Sequence, residues 1–200
     1  MSGRVLVLSP PPNANGDLHL GHVAGPFLAA DVYTRYARAT GRNVLFGTGV
    51  QDTSTFVLTT ATKLGVPADE LIARSTEDVA RTLAAIGVEV DGFTGPEERF
   101  TKQVLNFMDR LHAGGRLRRK AMPFPFLPRT GEFLVDGFVR GGCPHCLAEG
   151  CAGPCEGCGH PILPGELVVP RSTQYPDDPV ELRDATVYVL PVEEYRAGLL

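Results

Sequence analysis

No apolar run in the 200 residues approaches the roughly 20 needed to cross a bilayer, and Met1-Ser2-Gly3-Arg4 running straight into Val5–Leu8 is too short for a signal peptide. The expectation is therefore a cytoplasmic protein with no membrane partner. Surplus positive charge is also missing. Nineteen Lys and Arg face 23 Asp and Glu, for a net charge of −4, which speaks against a surface given over to nonspecific nucleic-acid binding. One local group of cations stands out, Arg110, Arg116, Arg118, Arg119, Lys120 and Arg129. Its simpler reading is a solvated helix end and loop, where the helix dipole favours positive charge. Cysteine is absent outside one short stretch that holds Cys143, Cys146, Cys151, Cys155 and Cys158. A disulfide scaffold would spread its bridges over the fold, so this cluster is a local device. Internal repeats and long low-complexity tracts are lacking, and the composition excludes disorder, collagen-like repeats and coiled coil.

What is present is enough apolar residue, 43%, to bury a core in one ordinary domain or one domain with a small insertion. Twenty-three Gly and 17 Pro mark many turns. Val5–Leu8 reads as a buried strand stopped by Ser9-Pro10-Pro11-Pro12. Beyond Gly21, Val23, Phe27 and Ala30, with Ala24, Leu28 and Val32, recur at helical spacing up to a glycine stop at Gly41. Asn43–Thr48 reads as a second buried strand and Thr53–Leu64 as a helix. Pro67, followed by Asp69 and Glu70, starts a helix running to Ile86-Gly87. Thr94-Gly95-Pro96-Glu97 has capping-box spacing and opens a helix to about Gly114. Strands alternating with helices predict an α/β layer with a parallel sheet, whose ligand site lies at the carboxyl ends of the strands. Past Gly115, Phe- and Pro-rich segments and short apolar runs at Leu167–Val169 and Val187–Leu190 predict a small β-rich module.

Between the first strand and its helix lies Asn13-Ala14-Asn15-Gly16-Asp17-Leu18-His19-Leu20-Gly21-His22. At that edge an α/β fold presents helix N-terminal N–H groups to anions. His19 and His22 stand three apart, so on a starting turn they share one face and both reach a single phosphate. Gly21 between them leaves a bare surface for a flat base. Imidazole donors aimed at a phosphoryl group act by electrostatic stabilisation. The competing reading is a pair of ordinary polar loop residues.

Cys143-Pro144-His145-Cys146 and Cys155-Glu156-Gly157-Cys158 form two C-x-x-C pairs separated by eight residues. Two such turns bring four thiolates to a tetrahedron around zinc, and a redox pair would need only one of them. His145, Cys151 and His160 are spare donors outside that spacing. A four-ligand site has no open position, so its role is structural.

The run from Pro10 through His22 resembles the HIGH signature of class I aminoacyl-tRNA synthetases, and Ala30-Asp31-Val32-Tyr33 after it is similar to the methionyl branch. The segment Phe138–Cys146 through Cys158-Gly159, followed by Glu166-Leu167 and Arg183-Asp184, resembles the zinc-bearing connective peptide of that branch, and the likeness is collinear from Val5 to the end. The resemblance implies a Rossmann-like (HUP-type) parallel sheet, in its first half, over residues 1–115, and a β-rich zinc-knuckle insertion over residues 116–200. It implies ATP with Mg2+ as substrate and structural Zn2+ on Cys143, Cys146, Cys155 and Cys158. His19 and His22 would act on the phosphates and Gly21 would lie beneath adenine, with Pro12, Asn15 and Gly16 lining the loop. Asn13, Gly49 and Gln51 would face the amino acid, methionine by analogy, and the acceptor end of a tRNA would be the partner.

Two departures stand beside this likeness. Where the family carries an acidic segment that holds the substrate's ammonium, this chain has Gly49 and Val50, with Asp52 three positions on as the candidate replacement. Asn13 stands at a usual tyrosine. The second half of the nucleotide fold, with its KMSKS loop, is not found in these residues, so little or no adenylation is expected of them alone, and a fragment, a subunit needing a partner, or a degenerate paralogue are the expected forms. Adenylation for a non-tRNA acceptor, and a noncatalytic zinc-stabilised nucleotide- or RNA-binding relic, stay open as alternatives.

Overall fold

The computed structural model describes residues 4–95 and 97–199, which fall into two compact units, one ending at Glu97 and one beginning at Glu98. In the first, β1 (Arg4–Leu8) pairs in parallel with β2 (Asn43–Gly49), and β2 in parallel with β3 (Gly92–Thr94). Parallel neighbours require crossovers, and helices supply them. The first crossover is one continuous helical path made of α1 (Leu20–His22), a π-helical turn (Val23–Phe27) and α2 (Leu28–Ala39). Pro26 lies inside the π turn; it has no N–H to give, and a π turn accommodates that gap in the ladder. The second crossover holds α3 (Thr55–Leu64) and α4 (Ala68–Ala85).

Local signals mark the ends of α3 and the start of α4. Ser54 caps α3 by accepting from the Phe56 N–H at 3.2 Å, and Gly65 ends it in the left-handed region at φ +68°. Pro67, expected at the first helical position, is instead the N-cap of α4, extended at φ −60° and ψ 143°, with Asp69 and Glu70 in the first turn. The core joins Phe27 to Phe46, Val57, Leu71, Val79 and Leu83, all 2% exposed or less. Asp91 ties the layers together, accepting from Arg38 Nη2 at 2.6 Å and from the Phe46 N–H at 2.7 Å.

The two first strands differ from the sequence expectation in one respect. They alternate rather than being buried on both faces: Val44 and Phe46 are buried, whereas Leu6, Leu8 and Leu45 are 65%, 68% and 60% exposed. The described helices of this unit cover one face of its sheet, and the period of two turns the other leucines away. The expected apolar stripe of the first helix divides in the same way, with Phe27 buried and Leu28 and Val32 exposed. Thr94, expected to cap the next helix, ends β3, and its hydroxyl donates to the Thr48 carbonyl at 3.4 Å; Pro96 of that expected box lies outside the described residues.

The second unit opens with α5 (Glu98–Ala113). It continues with an antiparallel sheet in the order β5-β4-β8, made of β4 (Arg118–Leu127), β5 (Glu132–Phe133) and β8 (Glu181–Val189). Pro123 and Pro125 are tolerated in β4 because β5 pairs only with Phe126 and Leu127, so no strand partner there calls for a proline N–H, while the Pro125 carbonyl still accepts from the Leu134 N–H at 2.8 Å. A second ribbon pairs β6 (Val139–Gly142) with β7 (Val168–Ser172). Its core includes Leu127, Leu134, Val139, Ile162 and Leu167 with Cys143 and Cys155. The last described helix is α6 (Arg196–Leu199). The cations noted in the sequence are partly answered here: Arg118 pairs with Glu194 at 3.3 Å, and Arg129 pairs with Asp178 at 3.2 Å and lies over the Tyr175 ring. Among the described residues no helix is long and apolar enough to cross a membrane.

Candidate active site and metal centre

The chain leaving β1 is pinned at once. The Ser9 N–H donates to the Gly47 carbonyl at 3.2 Å, its hydroxyl to the Pro26 carbonyl at 3.1 Å, and its own carbonyl accepts from Thr48 Oγ1 at 3.2 Å. Three residues on, the loop after β1 is stitched to the loop after β2. Gln51 N–H donates to the Pro12 carbonyl at 2.8 Å and Ala14 N–H to the Gln51 carbonyl at 3.0 Å, a parallel bridge that sets Asn13 against Gln51. Two residues singled out separately in the sequence thus become neighbours at the carboxyl edge of the sheet. Asp17 fastens the far end of the loop to α4 by accepting from Thr82 Oγ1 at 2.7 Å. Pro12 is buried, Asn13 and Asn15 are half-buried, and Gly16 is exposed.

His19 and His22 cap each other. His19 is the N-cap of α1, and its Nδ1 accepts from the Gly21 N–H at 3.1 Å and the His22 N–H at 3.4 Å. The His22 Nδ1 in turn accepts from the His19 N–H at 3.4 Å. Their rings stack with centroids 3.8 Å apart. A nitrogen that accepts from a backbone N–H carries no proton, so in the neutral rings the hydrogen sits on Nε2 of both. The two histidines are therefore held as donors with Nε2–H directed away from the capped backbone. Burial first, and the neighbouring His19 second, hold His22 below the ordinary 6.5, which favours its neutral form. Gly21 has a packing role as well, since a Cβ there would sit 3.0 Å from the His19 ring carbon Cε1.

Gly49 is the last residue of β2 and is buried. A Cβ at this position would lie 2.2 Å from the Thr94 carbonyl oxygen and 2.4 Å from its Oγ1. No side chain fits there, acidic or otherwise, because β3 crosses too close. Asp52, the candidate replacement carboxylate, is half-buried in the loop that follows. The sequence did not reveal β3, whose three residues carry no alternating apolar pattern.

In the second unit the four paired cysteines converge. Their sulfurs all lie within 4.8 Å of one another, with Cys143 to Cys158 at 3.9 Å and Cys146 to Cys155 at 3.6 Å. A tetrahedron with arms of about 2.3 Å, the zinc–thiolate length, has edges of about 3.8 Å, so the sulfur cage is compatible with zinc. Each C-x-x-C turn closes in the same way. Leu147 N–H donates to the Cys143 carbonyl at 3.0 Å and Gly159 N–H to the Cys155 carbonyl at 2.7 Å, and the residue after each second cysteine is left-handed, Leu147 at φ +61° and Gly159 at φ +74°. The Cys158 N–H, then the Cys146 thiol and Gly157 N–H, outweigh burial and hold the Cys155 thiol down at about 6, which favours the thiolate a metal needs. Cys151 stays outside the group, donating to the Ala148 carbonyl at 3.4 Å, with burial foremost in pushing its thiol up. His145 and His160 also stay outside, their rings stacked 5.1 Å apart.

A sequence model of the family described as tRNA synthetases class I (M) matches residues 5–199. The chain is 34% identical over 200 residues to the methionine–tRNA ligase of Chlorobaculum tepidum, a match covering 98% of this chain and 28% of that protein. It is 29% identical to the methionine–tRNA ligase of Cytophaga hutchinsonii, covering 98% and 29%. Among solved structures, the Mycobacterium tuberculosis methionyl-tRNA synthetase in complex with methionyl-adenylate superposes with a TM-score of 0.65 at 19% identity, over 98% of this chain and 34% of that one. That structure shares the fold, and the chain spans less than a third of the length of the two ligases.

Proposed function

From the premise that this chain belongs to the class I (M) tRNA synthetase family, we propose that it carries the ATP- and amino-acid-binding part of a methionine–tRNA ligase. The reaction joins an amino acid to the α-phosphate of ATP, releasing pyrophosphate, and the acyl group then passes to the 3′ end of a tRNA. The observation that carries the reading is the mutual capping of His19 and His22, which holds two Nε2–H donors on one edge of the sheet. Such fixed donors stabilise charge as it builds on a phosphoryl group, and need no reorganisation when it does. We assign His19 and His22 to the ATP phosphates, Gly21 to the adenine face, and Pro12, Asn15 and Gly16 to the loop wall, with Mg2+ accompanying the nucleotide. Asn13 and Gln51, held together by their bridge, are assigned to the amino acid alongside Gly49.

Cys143, Cys146, Cys155 and Cys158 would hold Zn2+ as a structural ion, which when bound supplies cross-linking of the two knuckles and no open coordination site. In this assignment residues 1–115 serve the nucleotide fold and residues 116–200 the connective insertion, in a cytoplasmic protein. A second reading, activation of an amino acid for another acceptor, is favoured by Gly49, where no carboxylate can stand to pair with the ammonium of methionine. ATP–pyrophosphate exchange scanned across the amino acids separates these readings. Methionine-dependent exchange that vanishes in His19→Ala supports the first, exchange with a different amino acid supports the second, and exchange unchanged in His19→Ala overturns the assignment of the histidines.

A further inference from the structure

The bridge that sets Asn13 against Gln51 is made by main-chain atoms alone, the Gln51 N–H on the Pro12 carbonyl and the Ala14 N–H on the Gln51 carbonyl. Neither side chain is needed to hold it. Side-chain direction alternates along extended backbone, and the residue beside each, Ala14 and Val50, is turned into the core. Asn13 and Gln51 are therefore turned the other way, one half-buried and one exposed, at the edge assigned to the amino acid. Among the described residues neither carboxamide makes a hydrogen bond, and the half-buried carboxylate of Asp52 beside them has neither a hydrogen bond nor an ion pair.

Two neighbouring carboxamides offer amide donors and carbonyl acceptors and carry no charge. Their complement is a neutral group that both donates and accepts, a carboxamide or a hydroxyl. A thioether sulfur is a weak acceptor and no donor, so a methionine side chain brought against this pair would displace its water and leave both amides unpaired. An acidic side chain would meet Asp52 as a like charge. The α-ammonium of the same amino acid needs a carboxylate, and β2 leaves one position for it. Gly49 has no room for a side chain and Val50 lies in the core, which makes Asp52 the first carboxylate after the strand.

We propose that the amino acid activated at this edge has a neutral side chain ending in a carboxamide or a hydroxyl, hydrogen-bonded by Asn13 and Gln51, with Asp52 pairing its α-ammonium. The assignment rests on the adenylation proposed above and gives the second reading there its class of substrate.

The test is isothermal titration of the full chain with aminoacyl-sulfamoyl adenosines, which are stable mimics of the adenylate. Three carry glutamine, serine or methionine, and adenosine 5′-sulfamate carries no amino acid. The glutaminyl or the seryl compound is expected to bind about tenfold or more tighter than the methionyl one, since a site built to hydrogen-bond its substrate rejects an analogue that cannot. Gln51→Leu and Asn13→Leu are each expected to bring that ratio to within about threefold. Thermal melts matching the unsubstituted protein verify that both variants keep the main-chain bridge. Asp52→Asn is expected to weaken all three aminoacyl compounds relative to adenosine 5′-sulfamate. A methionyl compound that binds as tightly as the other two overturns this assignment and leaves the adenylation reading standing. A preference for glutamine or serine that survives both leucine variants overturns it as well. Failure of all four compounds to bind overturns the adenylation reading and this assignment with it.

Discussion

Replacing Gly49 by alanine is the smallest change that tests how β3 shapes the edge proposed for the amino acid. The new methyl group would have to occupy a point 2.2 Å from the Thr94 carbonyl oxygen and 2.4 Å from Thr94 Oγ1. Contact distances for carbon begin near 3 Å and above, so β2 and β3 must part. They are held there by register pairing of Gly49 with Thr94 and by the Val50 N–H donating to the Thr94 carbonyl at 3.0 Å. Overpacking costs about 1–3 kcal/mol, and a lost buried hydrogen bond about 1 kcal/mol more, so the unit ending at Glu97 should lose about 3 kcal/mol. For a unit of this size each kcal/mol moves the midpoint by about 4–8 °C, a drop of roughly 12–24 °C in a thermal melt followed by circular dichroism. Adding Thr94→Ala removes the hydroxyl but leaves the nearer carbonyl, so the double variant should recover little. A Gly49→Ala protein melting within about 3 °C of the unsubstituted chain, or full recovery by Thr94→Ala, would refute the steric account. The acidic place of the family would then be open to restoration by a single substitution.

Three further outcomes are expected. Metal analysis should find one zinc per chain in the unsubstituted protein and in Cys151→Ser but a stoichiometric loss in Cys143→Ser, since Cys151 stands outside the sulfur cage. His22 should titrate below 6.5 by NMR, and because its folded-state value is lowered, the unfolded chain binds more protons in the window just under 6.5; stability there should fall as pH falls, with a shallower dependence in His22→Gln. Asp91→Ala should cost about 1–2 kcal/mol in a urea titration, mostly through the orphaned Phe46 N–H, with the half-exposed Arg38 pair adding little.

Helices were legible in the sequence because their signals are local. Ser54, Gly65, Pro67 and Gly41 each mark an end within a residue or two of where it occurs. The cysteine cage was legible for the same reason: two turns of fixed spacing close on themselves wherever the chain places them. β3 was not, since three residues, Gly92-Phe93-Thr94, make no apolar run, and they become a strand only by pairing with β2. The exposure of Leu6, Leu8 and Leu45 was hidden as well, because an apolar run carries no record of which face its partners cover. Pro26 was the available sign of a break in the first helix, and a π turn is what stands there. The bridge between Asn13 and Gln51 joins the loops that follow two different strands, which no spacing rule reports. Neither does one report the left-handed Leu147 and Val169.

The two histidines show why fold and chemistry at this edge are difficult to separate. A helix start leaves N–H groups without partners, and here imidazole Nδ1 atoms rather than a serine or aspartate satisfy them. An ordinary cap would serve the helix equally well and would leave no donor behind. A histidine cap spends one ring nitrogen on the backbone and, by that bond, assigns the proton to the other. The tautomer that the proposed phosphate role requires is thus set by the folding of the loop itself. Removing either ring takes away a cap from the helix start and a donor from the site together. Substitution by asparagine distinguishes the two losses: its amide oxygen can still accept from the Gly21 N–H as an N-cap, but its short side chain places no donor where the His19 Nε2–H stands. His19→Asn should therefore keep the melting temperature of the unsubstituted protein more closely than His19→Ala, while losing nucleotide-dependent activity to the same extent.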